Sequence, residues 1–333
     1  MAHGAPLECV ELPDPTPTGI DVVIEVTHCD VCHSDLHLWH GGYDLGGGRM
    51  LSVKDRGLVL PAAPGHEIVG RVAQLGPDAV GVAIGDQRVV YPWIGCGCCP
   101  HCLAEEDNLC PNQRLLGVAV NGGFGRLVKV PHPRYLLAFD ACSGRTAYSA
   151  ARKVLPVGAG QSVVLFGAGG LGLAAIAVLR ALGQDAVVVV DISATKRAAA
   201  LAFGATAAVD GSADDVAARI AATGPVGAVL DFVGSDNTAQ AGLTVLPKGG
   251  TLVLVGIGGG ELTLSVAGTI FRTHTIRGSL TGSIAELRSV IALAQSGALA
   301  PTPVQDRPAD QRNDVMTALD TGRVTGRVVL TSA

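Results

Sequence analysis

Cys96, Cys99, Cys102 and Cys110 sit in one short loop with the spacing C-x-x-C-x-x-C-x7-C. Four thiolates so close together can close a tetrahedral site of the kind structural Zn2+ prefers, leaving no coordination place for chemistry. An iron–sulfur cluster is the second reading, because its ligands follow similar spacings. Reduced core cysteines fit poorly, since the same loop carries Pro100, His101, Glu105, Glu106 and Asp107, residues that favour a surface. A fifth thiol, Cys98, adjoins Cys99, and spacing alone leaves open which of the two is the ligand.

The second constellation is Gly167-Ala168-Gly169-Gly170-Leu171-Gly172, directly after the apolar run VVLF and at the start of a helical pattern. The first glycine permits the tight turn and the second lets backbone approach a pyrophosphate. The third lets helix pack on strand, and the helix N-terminus then faces the anion. In a chain with 45 glycines the string alone is weak. Asp191 strengthens it, ending the next strand nineteen residues after Gly172. A carboxylate there takes the adenosine ribose hydroxyls and repels a 2'-phosphate, so the pattern predicts NAD rather than NADP. Lys196, five residues on, is within reach of the same ribose.

The elements that position these groups fall into two styles. Up to about residue 135, short Val-rich runs at 22–26, 68–76, 86–91 and 126–131 are bounded by Gly, Pro or Asp and read as strands in an irregular all-β body with long loops. From about residue 144 strand and helix alternate, starting with QSVVLFG, GLGLAAIAVLRALG, DAVVVVD and SATKRAAALAFG and ending on TLVLVGIG at 251–258. That alternation predicts a parallel sheet covered by helices on both faces, and its near-continuous apolar strands suit burial on both sides. After residue 281 an amphipathic helix follows, with Leu287, Val290, Ile291 and Ala294 at helical spacing, and GRVVL reads as a last strand. The fold class is therefore α/β with a second, mainly β part, and 333 residues suit two domains.

Composition excludes several functions. Hydrophobic residues at 48% and charged residues at 16% can bury a large core. A net charge of -5, with 24 scattered Lys and Arg, gives no basic face for nucleic acid or an anionic membrane. The uncharged stretch 163–179 is short for a membrane span and is broken by the glycine turn, so strand plus helix explains it better. The opening MAHGAPLECVELPD has no secretory pattern, and nine largely clustered cysteines argue for metal in a reducing cytoplasm rather than a disulfide framework. Cys29, Cys32 and His33 match the C-x-x-C-H haem attachment string, but attachment of that haem requires export.

Taken in order, Cys32-His33-Ser34-Asp35 with His37, Gly65-His66-Glu67, the four-cysteine loop, Cys142-Ser143-Gly144, the GAGGLG turn and Asp191 resemble the zinc-containing medium-chain alcohol dehydrogenases over nearly the whole chain. The shorter microbial and archaeal members, typically tetramers, are the nearer type. The resemblance implies a Rossmann doubly wound sheet and a mainly β, GroES-like catalytic domain. The catalytic domain would take residues 1–143, with the structural zinc lobe at about 94–112. The NAD-binding domain would take 144–280, and 281–333 would return to the catalytic domain.

It further implies two zinc ions and NAD as cofactors. Cys32, His66 and Cys142 would hold the catalytic zinc, a Cys2His set with one place free for an alcohol or carbonyl oxygen. Ser34 would pass the proton by way of the nicotinamide ribose to His37, both groups being able to donate and accept. Glu67 would be a carboxylate able to reach the metal transiently, and Asp35 would orient His66. His33 would lie near the pyrophosphate. Arg327, Val233, Val255 and Ile257 would join Gly167, Gly169, Gly170, Leu171, Gly172, Asp191 and Lys196 around the dinucleotide. Trp39 and Trp93 are candidate walls of the substrate pocket, and His37 and His40 read equally well as surface histidines on residue type alone.

Two departures from the family accompany this. Relatives carry a further strand before the equivalent of Gly4-Ala5-Pro6-Leu7, and they place a helix in the stretch that here runs straight from Pro131 to Cys142. The activity expected is hydride transfer between a primary or secondary alcohol, or its aldehyde or ketone, and NAD, by a cytoplasmic homo-oligomer, a tetramer before a dimer. A polyol dehydrogenase of the same fold and a non-catalytic NAD-binding redox sensor, its cysteine lobe reacting with oxidants, are the alternatives.

Overall fold

A computed structural model describes residues 4–138 and 144–332. It has two main sheets. In the first, the strand Val22–Val31 is central, flanked by Arg327–Thr331 on one side and Glu67–Leu75 on the other. Gln87–Val90 and Leu136–Leu137 extend it past Glu67–Leu75, Val304–Pro308 extends it past Arg327–Thr331, and Leu127–Val130 pairs with the start of the central strand. Its pairings are antiparallel except that between Val304–Pro308 and Arg327–Thr331. The C-terminal strand thus returns about 300 residues of chain to the N-terminal sheet, with Val328 opposite Val31.

The second sheet has six parallel strands in the order Ala207–Asp210, Val187–Asp191, Ser162–Phe166, Val226–Asp231, Thr251–Leu254, Thr275–Gly278. This is the doubly wound order 3-2-1-4-5-6, whose reversal beside the first strand opens a ligand crevice. Successive side chains go to opposite faces of a strand, and the burial follows that rule. Val163, Leu165, Val187, Val189, Ala228 and Leu230 pack on one face with the helices Arg145–Val154 and Gly170–Ala181. Val164, Phe166, Val188, Val190 and Val229 pack on the other with Ile220, Leu243 and Leu246.

The helix Ile284–Gln295 stitches the two parts together. Ile284, Leu287 and Ile291 enter the core of the β-rich part, while Val290 enters the core of the parallel sheet. The all-β expectation for the first part needs one correction: His33–His40 is a helix, set directly after the central strand. The stretch 163–179 is a buried strand, a glycine turn and a buried helix. Among the described residues no helix is long and apolar enough to cross a membrane.

Candidate active site and structural metal lobe

The His33–His40 helix is built to present Cys32. Cys32 is its N-cap, its Sγ accepting the Ser34 backbone N–H at 3.3 Å, and Asp35 closes the capping box by accepting the Cys32 N–H at 3.0 Å. Asp35 is fully buried, and its second oxygen accepts the Gly65 N–H at 3.1 Å, which fixes the turn before His66.

Cys32 Sγ and His66 Nε2 lie 3.0 Å apart, and His66 Nδ1 faces Asp35 at 3.4 Å without a hydrogen bond. Burial opposes a charged His66 ring, yet Cys32 and Asp35 outweigh it and hold its pKa well above the ordinary value. The donor set therefore calls for a cation on Nε2. Bond lengths to Zn2+ give a tetrahedral S–N edge of about 3.5 Å, so an expansion of about 0.5 Å fits the ion. Cys142 lies outside the described residues.

The second cluster is a separate lobe. The sulfurs of Cys96, Cys99, Cys102 and Cys110 all lie within 4.8 Å of one another, with Cys99–Cys102 at 3.5 Å and Cys96–Cys102 at 3.9 Å. A zinc–sulfur bond of about 2.3 Å gives a tetrahedral edge of about 3.8 Å, so the set fits zinc. Cys98 is exposed, 3.6 Å from Cys96 and outside that set, whereas Cys99 lies within it. The backbone N–H groups of Cys98 and Cys99 and the Cys98 thiol hold the Cys96 thiol down to about 6, whereas burial pushes Cys102 up to about 12.

At the crevice of the parallel sheet, Gly167 takes φ +94 and Gly172 packs so closely that a Cβ would stand 2.1 Å from the Gly167 carbonyl oxygen. Only glycine meets both demands. The helix Gly170–Ala181 starts there, and Asp191 Oδ2 accepts the Ala168 N–H at 2.8 Å. Val233 packs on the same turn, its Cγ2 3.1 Å from where a Gly167 Cβ would be. Val255 and Ile257 follow the strand Thr251–Leu254, beside Gly256, whose Cβ would collide with Val233 backbone.

A small cleft of about 20 Å³, room for a single water, touches both groups. It is lined by His66 and Glu67 from the thiol–imidazole side, by Leu171 and Arg327 from the dinucleotide side, and by Gly144, Arg145 and Thr146.

The wider comparisons agree with this geometry. Residues 18–140 match the alcohol dehydrogenase GroES-like domain and residues 170–296 the zinc-binding dehydrogenase domain. An NAD-dependent alcohol dehydrogenase of Sulfurisphaera tokodaii is 32% identical over 340 residues, covering 98% of this chain and 97% of that protein. The chain belongs to the zinc-containing alcohol dehydrogenase family. A solved relative, the alcohol dehydrogenase of Aeropyrum pernix, superposes with TM-score 0.89 at 29% identity, over 99% of this chain and 97% of that one. A D-arabinose 1-dehydrogenase (NADP(+)) of Saccharolobus solfataricus is 31% identical over 350 residues, 98% of this chain and 94% of that protein.

Within this family frame the remaining sequence-predicted residues fall as follows. Ser34 and His37 lie one turn apart on the capped helix, and the His37 ring packs on Tyr43 with centroids 4.8 Å apart. Burial lowers the His37 pKa, and His33 and His40 add to the effect. Burial lowers the His33 pKa, and the charges of Lys196 and Arg327 add to the effect against that of Asp320. His40 instead pairs with Asp320 at 2.9 Å.

Trp39 is not among the residues around that small cleft; it lines a separate, larger cavity with Leu38, Leu58 and Phe124. Its indole N–H donates to the Ala5 carbonyl at 2.6 Å, and the residue packs against the cluster that holds Leu36 and Met316. Trp93 is buried in the β-rich core with its Nε1 unpartnered. Arg327 is only 5% exposed and is bonded to both Asp30 and Glu67, so the Glu67 carboxylate faces a guanidinium here. Asp30 and Arg145 escaped the sequence reading. An acid inside the run VVIEVTHCDV was the available signal for Asp30; nothing in the local pattern marked Arg145.

Proposed function

We propose that this chain is an NAD-dependent zinc alcohol dehydrogenase acting on a primary or secondary alcohol or the matching aldehyde or ketone. The reading rests above all on the Cys32–His66 pair, whose Sγ and Nε2 lie 3.0 Å apart at the capped helix end, in a chain of the zinc-containing alcohol dehydrogenase family. When bound, zinc supplies Lewis acidity to a substrate oxygen and NAD supplies the hydride acceptor.

The chain's own residues do the rest. Cys32 and His66 hold the metal, with Cys142 as the third ligand. Asp35 positions both, accepting the Cys32 N–H and, ahead of His66, the Gly65 N–H. The Ser34 hydroxyl takes the substrate proton and His37 delivers it to solvent, a task that suits an imidazole whose pKa is lowered by burial. The helix N-terminus at Gly170, with His33 and Arg327, binds the pyrophosphate, while Asp191 and Lys196 bind the adenosine ribose. The Cys96, Cys99, Cys102 and Cys110 lobe holds a structural zinc.

The D-arabinose relative keeps a polyol or sugar substrate as the second reading; the NADP(+) in that relative's name is disfavoured here by the Asp191 carboxylate. We also read the chain as a cytoplasmic homo-oligomer, a tetramer before a dimer. In support, Thr275–Gly278 is the edge strand of its sheet, and the helix beside it exposes Val266, Ile270 and Phe271 by 76%, 66% and 76%. Light scattering of purified protein tests the assembly.

The functional test is elemental analysis with an NADH-linked screen of alcohols and polyols. Two zinc per chain and turnover lost on chelation are expected. One zinc and no turnover would leave the redox-sensor reading instead.

A further inference from the structure

Three charged side chains come from three neighbouring strands, and two of them, Glu67 and Arg327, line the small cleft. Asp30 lies directly opposite Glu67 in the antiparallel register, and Arg327 reaches in from the strand on the other side of Asp30. Like charges facing each other across a strand pair destabilise a sheet. Arg327 reconciles them: its Nε donates to Asp30 Oδ2 and its Nη2 to Glu67 Oε2.

Two carboxylates thus share one guanidinium. Asp30 is 5% exposed, and its second oxygen has no partner among the described residues. As a stability device this is poor, because apolar residues of similar volume usually serve a core as well or better than a buried ion cluster. The arrangement has a different consequence. Asp30 and Glu67 occupy Nε and Nη2 separately, so Arg327 cannot fold both donors onto Glu67. Its Nη1 makes no hydrogen bond among the described residues. The Arg327 stem lies on the glycine turn, its Cγ 2.7 Å from where a Gly170 Cβ would be, and the residue lines the cleft.

We propose that Asp30 is a positioning residue that holds Arg327 with a free guanidinium edge toward the diphosphate of the dinucleotide. The inference rests on the reading of Arg327 as a cofactor ligand. It adds that the ligand needs a second carboxylate, from the strand leading to Cys32, to stay aimed. Without Asp30 the guanidinium turns to take Glu67 with two donors, and the edge that meets an anion is lost.

The test is the NADH dissociation constant, followed by nicotinamide fluorescence on zinc-loaded protein. Wild type and Arg327→Ala test the underlying reading, and NADH binding that ignores Arg327→Ala overturns both. With Arg327 established, Asp30→Ala is expected to weaken NADH about tenfold and to raise KM for NAD in step, with kcat within about twofold. Asp30→Asn keeps the acceptor and is expected to restore binding to within about threefold. The double variant Asp30→Ala/Arg327→Ala is expected to bind no worse than Arg327→Ala alone. Unchanged binding in Asp30→Ala, or additive losses in the double variant, overturns the proposal. Asp30→Ser carries the same expectation and replaces the alanine variant if that one does not fold.

Discussion

Asp191 Oδ2 accepts the Ala168 backbone N–H at 2.8 Å, which ties the carboxylate ending the second strand to the middle of the glycine turn. Its Oδ1 accepts the Ser193 N–H at 2.8 Å. Both oxygens are thus held in place while each keeps a lone pair free. Asp191→Ala is expected to raise KM for NAD about 10- to 100-fold, the loss of one hydrogen bond to a charged group, about 1.5–3 kcal/mol. NADP, no longer repelled, is expected to gain in relative kcat/KM. A cofactor preference that does not move would show that the carboxylate does not read the ribose.

Asp35 couples the two metal-facing residues from one buried position, through the Cys32 N–H and the Gly65 N–H, beside His66 Nδ1. An amide there would set an NH2 donor against one of those N–H donors or the ring. Asp35→Asn is expected to lower zinc affinity at this site about 10- to 100-fold while the four-cysteine lobe keeps its ion. Zinc per chain, read during titration with a chelator, should then fall from two to one at a lower chelator concentration than in wild type. Simultaneous loss of both ions would mean that Asp35 serves folding rather than the metal.

The lobe predicts a contrast between neighbours. Cys99 is inside the thiol set and caps the short helix Pro100–Leu103, whereas Cys98 is exposed and outside it. Cys99→Ser is expected to lose one zinc per chain and to lower the melting temperature. Cys98→Ser is expected to keep both ions and the wild-type melting temperature. Equal zinc loss in the two variants would overturn the assignment of Cys99.

Much of this was legible in residue order. The strands around 162–166 and 187–191 announce themselves as apolar runs because both their faces are buried, and Gly172 is marked because its neighbour leaves no room for a Cβ. The His33–His40 helix was not legible. It spans only two turns, and its cap is a cysteine, a residue that ordinary capping signals omit. The direction of Trp39 was not legible either: it follows Cys32 closely in sequence, yet its indole N–H donates to the Ala5 carbonyl, a partner no local pattern marks. The Asp30–Arg327–Glu67 cluster joins residues almost 300 positions apart, and only the sheet register brings them together.

The last prediction concerns pH. His37 has its pKa lowered by burial and by the neighbouring His33 and His40, so its neutral form persists below the ordinary imidazole value of 6.5. In alcohol oxidation the relay must accept a proton, which only the neutral ring does. The rate is therefore expected to fall as pH drops through the lowered pKa, on the acid side of 6.5 rather than at it. Carbonyl reduction needs a proton delivered, and the same ionisation should help it toward acid. His37→Gln cannot carry the proton and is expected to slow oxidation about 10- to 100-fold, at the lower end of general-base effects because solvent can partly substitute. It should also remove the acid limb that belongs to this ring. The measurement is the pH profile of kcat for alcohol oxidation in wild type and His37→Gln. An acid limb that survives unchanged in the variant would place that ionisation elsewhere and remove His37 from the proton path.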